Sequence, residues 1–284
     1  MSSRYTMLDY KNEVKPVWCV GCGHFGVLNA VYQSLAMLQL PPEDVALISG
    51  IGCSSRLPGY VSTYGFNSIH GRALPIAIGA KIARPETTVL VITGDGDALS
   101  IGMGHFPHAA RRNVDITMIM MDNGIYGLTK GQVSPTLEEG AITKTTIYGN
   151  IDPPIDAVQL ALGCDASFIA RSTSLDPKHM AEMIVLGIRH KGFSLVHVLS
   201  PCVTFRGRDQ YTWIRESTEP LPADYDPKDL RSALEAAYRK DKLCTGLIYQ
   251  KERPDYGTLV KMLNEKAKAK GSPTLEEVAH QFSI

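Results

Sequence analysis

Residues 89–136 read VLVITGDGDALSIGMGHFPHAARRNVDITMIMMDNGIYGLTKGQVSPT, and the order of apolar and turn residues within them decides the fold. Val89 to Thr93 is a short β-branched run that stops at Gly94, the pattern of a strand buried on both faces. Ala98 to Arg112 can carry a helix, although Gly102, Gly104 and Pro107 weaken its first half. Ile116 to Met121 is a second buried strand, closed by Asp122-Asn123-Gly124. Strand, crossover helix and strand make one βαβ unit. Its strands end in carboxylate and amide side chains on the same edge, where open parallel sheets bind ligands.

The flanking chain repeats this alternation. Trp18-Cys19-Val20-Gly21-Cys22-Gly23-His24 opens a helix with apolar spacing, FGVLNAVYQSLAMLQL, and Val45 to Ser49 is a short strand running into Gly50-Ile51-Gly52-Cys53-Ser54-Ser55-Arg56. A turn around Ile69-His70-Gly71-Arg72 precedes the small-residue helix LPIAIGAKIA. After Thr136, residues 137–156 predict a long loop lining a site or contacting a partner. Then come a helix from Ile155 to Leu162, a strand from Ser167 to Ala170, a helix from Asp176 to Lys191 and a strand from Phe193 to Leu199, closed by Ser200-Pro201-Cys202. Met118, Met120 and Met121 read as strand filler. The pattern predicts an α/β fold, a mostly parallel sheet with flanking helices. From about Arg215 the texture turns polar and proline-rich, with a helix near 227–241. We expect a domain over 1–214 and an extension over 215–284 that packs on the domain or on a partner.

Lys+Arg and Asp+Glu balance at 29 each, so no global field draws the chain to nucleic acid or an anionic membrane. The lysine-rich run 261–270 reads as a solvated helix face. The first residues lack the apolar core of a secretory signal, and no run is long enough for a transmembrane helix. A cytoplasmic protein is expected, with its six cysteines as thiols rather than a disulfide framework.

Gly94-Asp95-Gly96-Asp97 sets a carboxylate on a turn whose glycines let backbone N–H groups approach an anion. Asp95, the amide oxygen of Asn123 and a nearby carbonyl are hard ligands suited to Mg²⁺, which completes its octahedron with phosphate oxygens and water. Each turn alone is common; in phase across one βαβ unit they point to a site. Cys19, Cys22, Cys53 and Cys202 all fall on loops beside regular elements, as convergent ligands require, whereas Cys164 and Cys244 sit in ordinary surroundings. Four thiolates fit either Zn²⁺ or a [4Fe–4S] cluster, and the residue chemistry does not separate the two.

GDG followed one crossover later by an Asn-containing pair resembles the thiamin diphosphate motif, with Asp122-Asn123 where Asn-Asn is usual. CxxCGH, GIGCSSR, HGRALPIAIGAKIA, GDGD, HAARRNVDIT, DNGIYGLTKGQVSPT and the late SPC, in that order from Trp18 to Cys202, resemble the β subunit of 2-oxoacid:ferredoxin oxidoreductases. The resemblance implies thiamin diphosphate held through Mg²⁺ on Asp95, Asn123 and the Ile125 carbonyl, with Gly94, Gly96 and Asp97 beside it. It implies a [4Fe–4S] cluster on Cys19, Cys22, Cys53 and Cys202, and it places Lys130 facing the 2-oxoacid carboxylate. His24, His70 and Arg72 are brought near the diphosphate or the cluster.

The implied reaction is oxidative decarboxylation of a 2-oxoacid, with electrons passing through the cluster to ferredoxin and coenzyme A taking the acyl group. The YGFNSIHGR stretch favours 2-oxoglutarate, with pyruvate next. The glutamate that activates the thiamin ring is implied to lie on an α subunit, so the chain is expected to be inactive alone and to work in an αβ or (αβ)₂ assembly. Two other readings stand beside this one: a thiamin-dependent decarboxylase or synthase without electron transfer, and a non-catalytic, zinc-stabilised α/β subunit.

Overall fold

The computed structural model describes residues 4–282. In chain order, α1 (His24–Leu38) leads to β1 (Val45–Ser49), β2 (Tyr64–Asn67), α2 (Ala73–Ala83) and β3 (Thr88–Gly94). Next come α3 (Phe106–Arg112), β4 (Ile116–Asp122), and a hairpin of β5 (Ile125–Tyr126) and β6 (Gln132–Val133). The chain continues through α4 (Ala157–Gly163), β7 (Phe168–Thr173), α5 (Pro177–Arg189), β8 (Phe193–Leu199) and α6 (Asp209–Ser217). It closes with β9 (Thr218–Pro220), α7 (Leu230–Ala237), β10 (Leu243–Gln250), α8 (Tyr256–Lys268) and α9 (Leu275–Phe282).

The main sheet has the order β2-β1-β3-β4-β8-β7-β10-β9. All its pairs are parallel except β10 against β7, which is antiparallel and interrupted by a bulge near Leu247 and Tyr249. The expected mostly parallel α/β sheet is therefore present. Strand periodicity divides the core between the two faces. On β3, Val89 and Val91 join one cluster with Ala77, Phe106 and Ala161, while Leu90 and Ile92 join the other with Val31, Leu35 and Ile184. On β4, Met118 and Met120 face the first cluster and Ile119 and Met121 the second, so these methionines are core filler. At ~25 cal/mol per Å² of apolar area, burying each such side chain contributes about 2 kcal/mol before entropy is counted.

Two local expectations change. The helix expected over Ala98–Arg112 is broken into a π-helical turn at Asp97–Ile101, a 3₁₀ turn at Met103–His105 and α3, which Pro107 starts at its first turn. The glycines and proline that weaken this stretch are what divide it. The helix near 227–241 is shorter, at Leu230–Ala237, with the Asp229 carboxylate capping Arg231 N and Ser232 N. Beyond residue 215 the chain adds β9 and β10 to the main sheet. By contrast, α8 and α9 contain no buried residue. Among the described residues no helix is long and apolar enough to cross a membrane.

Candidate functional site

From β1 the chain crosses to β2 on one side and then returns to β3 on the other, so the strand order reverses between the parallel neighbours β1 and β3. Loops leaving the carboxyl ends of two such strands diverge and open a crevice. Gly50–Arg56 leaves β1 there and Gly94–Asp97 leaves β3.

Asp97 bridges the crevice. Its carboxylate accepts from Ile51 N at 3.0 Å, Gly71 N at 2.7 Å and Thr93 Oγ1 at 2.8 Å, and His70 Nδ1 lies 2.8 Å away. Its oxygens are thus engaged by the chain itself, joining three turns. Gly50 is required here, because a Cβ would sit 1.9 Å from Asp97 Oδ2. Arg72 likewise turns to protein, donating to the Ile101 carbonyl at 3.0 Å.

Asp95 is only 3% exposed and accepts from Ser134 Oγ at 2.5 Å and Thr136 Oγ1 at 2.9 Å. Burial, with the Asp122 carboxylate close by, pushes its carboxyl up to about 7, although the two hydroxyls pull the other way. Asn123, one strand over, lies with its backbone N 3.5 Å from Asp95 Oδ1, and its own Oδ1 accepts from Ile125 N at 2.9 Å. The Asn123-Gly124-Ile125 turn therefore sets the amide oxygen and the start of β5 beside Asp95. Gly96 admits the ring of Tyr126, whose hydroxyl donates to the Gly96 carbonyl at 3.0 Å; a Cβ there would sit 2.5 Å from that ring.

Behind this pair runs a buried polar chain. The Thr136 hydroxyl, whose single proton Asp95 and Asp122 share, lies 2.7 Å from Asp122 Oδ1, and Asp122 Oδ2 is 2.9 Å from His197 Nε2. Arg171 Nε donates to His197 Nδ1 at 3.0 Å, and Arg171 Nη2 donates to Asp156 at 2.5 Å. Arginine can only donate, so His197 Nδ1 is the acceptor and Nε2–H points at Asp122. The imidazole is neutral and Asp122 stays an acceptor, fixed against the turn that carries Asn123.

The four loop cysteines meet around a second cavity, of about 270 Å³, shared with Trp18, His24, Arg56, Asn123, Lys130 and Phe205. They are free thiols, Cys19 exposed and the other three half-buried. Burial pushes the Cys22 thiol up to about 12 and raises Cys53 and Cys202 as well, with neighbouring cysteines adding to each shift. The Trp18 indole donates to the Cys53 carbonyl at 2.7 Å, and Cys22 N donates to Cys19 O at 3.0 Å. His24 is buried with Nδ1 2.8 Å from Ser200 Oγ; burial pushes it down to about 4, so the imidazole is neutral. Gly127 lies on the turn after Asn123, and a Cβ on it would sit 3.6 Å from Cys53 Sγ and 3.7 Å from Cys202 Sγ. One turn thus borders both sites.

Lys130 lines the cysteine cavity from this turn, exposed, with φ of 83°. Left-handed backbone costs a residue with a Cβ roughly 1–2 kcal/mol. Such strain is retained where surrounding structure or function demands it.

Two family models match, one continuing where the other stops. The thiamine pyrophosphate enzyme C-terminal TPP binding domain matches residues 50–198, and the C-terminal region of the pyruvate ferredoxin oxidoreductase beta subunit matches residues 202–265. The 2-oxoacid:ferredoxin oxidoreductase subunit beta of Saccharolobus solfataricus is 41% identical over 249 residues, covering 83% of this chain and 82% of that one. This chain belongs to the 2-oxoacid:ferredoxin oxidoreductase β-subunit family. The 2-oxoglutarate oxidoreductase subunit KorB of Mycobacterium tuberculosis is 48% identical over 69% of this chain, which spans 53%, about half, of that relative. Among solved structures, 2-oxoglutarate:ferredoxin oxidoreductase from Magnetococcus marinus, with 2-oxoglutarate, coenzyme A and succinyl-CoA bound, superimposes with a TM-score of 0.94 at 40% identity, over 99% of this chain and 97% of that one. The chain thus carries a thiamin diphosphate-binding domain as the β subunit of an oxidoreductase with more than one kind of subunit.

Sequence reasoning passed over Ser134, Thr136, His197, Arg171 and Gln210. Ser134 and Thr136 stood inside the quoted QVSPT without a role, and their spacing puts both hydroxyls on Asp95. His197 and Arg171 were legible only as polar exceptions in otherwise apolar strands.

Proposed function

We propose that this chain binds thiamin diphosphate through Mg²⁺ at Asp95, Asn123 and the Ile125 carbonyl, and a [4Fe–4S] cluster at Cys19, Cys22, Cys53 and Cys202. With an α subunit it would oxidatively decarboxylate a 2-oxoacid, 2-oxoglutarate before pyruvate, and pass electrons to ferredoxin while coenzyme A takes the acyl group. The observation that carries this reading is the single turn from Asn123 to Lys130, which borders the buried Asp95 on one side and the four-cysteine cavity on the other.

The residues fit both groups. Asp95 and Asn123 offer hard oxygens at a strand edge, and Ser55 Oγ, on the turn across the crevice, is buried with no hydrogen-bond partner. A single zinc, with Zn–S bonds of ~2.3 Å, needs sulfurs about 4 Å apart. Among the described residues no three His, Cys, Asp or Glu side chains are grouped that way, whereas the cysteines share a cavity of about 270 Å³. Four free thiols lining one cavity are a donor set that a [4Fe–4S] cluster uses.

Thiamin diphosphate supplies, when bound, the electron sink that makes loss of CO₂ from a 2-oxoacid accessible. The chain's own residues do the rest of what this half of the site can do. Asp95 and Asn123 hold the cation, while Ser134, Thr136 and Asp122 fix the orientation of those ligands. His24, buried and neutral, lines the cysteine cavity without adding a charge to it. Lys130 presents a cation to the substrate carboxylate, and the turn from Asn123 to Lys130 makes the two cofactor sites neighbours.

Two expected results arise here. Mg²⁺ needs Asp95 ionised, so protons compete: affinity for Mg²⁺–thiamin diphosphate should fall about tenfold per unit as pH drops below about 7, and level off above it. Calorimetric titration of the αβ complex across that pH range measures this, and a flat profile contradicts it. The same raised carboxyl has the opposite effect on the cofactor-free fold, which should lose stability as pH climbs from 3.8 to about 7. Second, Lys130→Ala should raise KM for the 2-oxoacid by about 10–100-fold, the loss of one charge-assisted contact, with thiamin affinity unchanged. Lys130→Gly should show the same KM defect yet stabilise the fold by about 1 kcal/mol, since only glycine meets φ of 83° without strain. An unchanged KM in both variants removes Lys130 from the substrate site.

A further inference from the structure

Gln210 is 7% exposed, in the first turn of α6, and its side-chain amide is used at both ends. Oε1 accepts from the backbone N of Cys202 at 2.7 Å, and Nε2 donates to the backbone carbonyl of Asn123 at 3.0 Å. One residue thus ties a cysteine of the cluster cavity to the amide-bearing turn of the cation site. The next residue extends the contact: Tyr211 Oη donates to the carbonyl of Gly21, between Cys19 and Cys22. Gly21 has φ of 79°, a backbone that glycine adopts without strain, and the tyrosine hydroxyl holds its carbonyl.

We propose that the first turn of α6 is a clasp that positions the two cofactor sites relative to each other, with Gln210 as the positioning residue for both and Tyr211 for the cysteine turn alone. This deepens the cofactor reading above and rests on it. Among the contacts of Cys202 N and the Asn123 carbonyl, the Gln210 amide is the partner that joins them, and only a side chain with an acceptor at one tip and a donor at the other serves both. Substitutions that remove one end should therefore act on one site, a pattern that general loosening of the fold does not produce.

The test uses the anaerobic αβ complex, with Mg²⁺–thiamin diphosphate as the ligand and the rate of iron loss to a chelator as the cluster readout. Gln210→Met removes both ends and should weaken thiamin diphosphate binding ~10–100-fold, as losing an outer-shell partner does, while speeding iron loss about tenfold. Gln210→Glu keeps the acceptor for Cys202 N but lacks the donor, so thiamin binding should weaken with iron loss no faster than in wild type. Tyr211→Phe should do the reverse, speeding iron loss by about fivefold, the worth of one hydrogen bond, with thiamin affinity unchanged. If Gln210→Met folds poorly, the opposed responses of Gln210→Glu and Tyr211→Phe still decide. Unchanged thiamin affinity in Gln210→Glu, or equal effects on both readouts in all three variants, overturns the clasp. A wild-type complex that binds no thiamin diphosphate or iron overturns the cofactor reading itself, and the clasp with it.

Discussion

Asp95→Ala should lose Mg²⁺–thiamin diphosphate binding altogether and leave the cluster iron in place. The loss should exceed the roughly 100-fold that removal of an outer-shell partner causes, because Asp95 is the charged ligand of the proposed site. The fold should survive. Burial and the neighbouring Asp122 already push the Asp95 carboxyl up to about 7, so at neutral pH its charge burdens the cofactor-free protein. Alanine removes that burden but leaves Ser134 Oγ only the Thr136 hydroxyl, 3.3 Å away, while Thr136 still has Asp122 at 2.7 Å. The two effects oppose, and the net change in stability should stay within about 2 kcal/mol. Asp95→Asn is the sharper variant, since it keeps the shape and deletes the charge. Calorimetry with Mg²⁺ and thiamin diphosphate, alongside thermal melting, separates ligand loss from misfolding. Retained binding in a folded Asp95→Asn complex would mean that the GDG turn is only a turn.

Cys53→Ala should abolish the cluster. Its sulfur faces the shared cavity, close to Gly127, whereas its structural contact to Trp18 runs through the backbone carbonyl, which alanine keeps. Cluster iron and acid-labile sulfide should fall to background in anaerobically purified complex, with ferredoxin reduction lost and thiamin diphosphate still bound. Cys164→Ala is the matched control: Cys164 packs against the core beside α4 and does not line the cavity. A full complement of iron and sulfide in Cys53→Ala would break the ligand set.

The parallel sheet was legible because its strands are buried on both faces, which leaves apolar runs such as Val89–Thr93 and Phe193–Leu199 that stop abruptly at turn residues. The edges of the sheet were not. β2 is exposed at all four positions and carries no burial pattern, and β10 is antiparallel with a bulge that breaks its period. The closeness of Asp95 and Asn123, the proposed cation ligands, was readable because both end strands of one βαβ unit, so local order fixes their proximity. The cysteines needed more: Cys19 stands before β1 and Cys202 after β8, they meet only in the folded chain, and spacing alone left zinc open. Gln210 lay beyond reach. It sits in a polar helix like any surface glutamine, and only the packed structure shows both ends of its amide engaged.

The most direct test is the content of iron, acid-labile sulfide, zinc and thiamin in one anaerobic preparation of this chain, co-expressed with its α subunit. Iron and sulfide in the proportions of one [4Fe–4S] cluster per chain, together with one bound thiamin diphosphate, is the predicted result. Zinc without sulfide or thiamin would contradict the account and leave a structural α/β subunit.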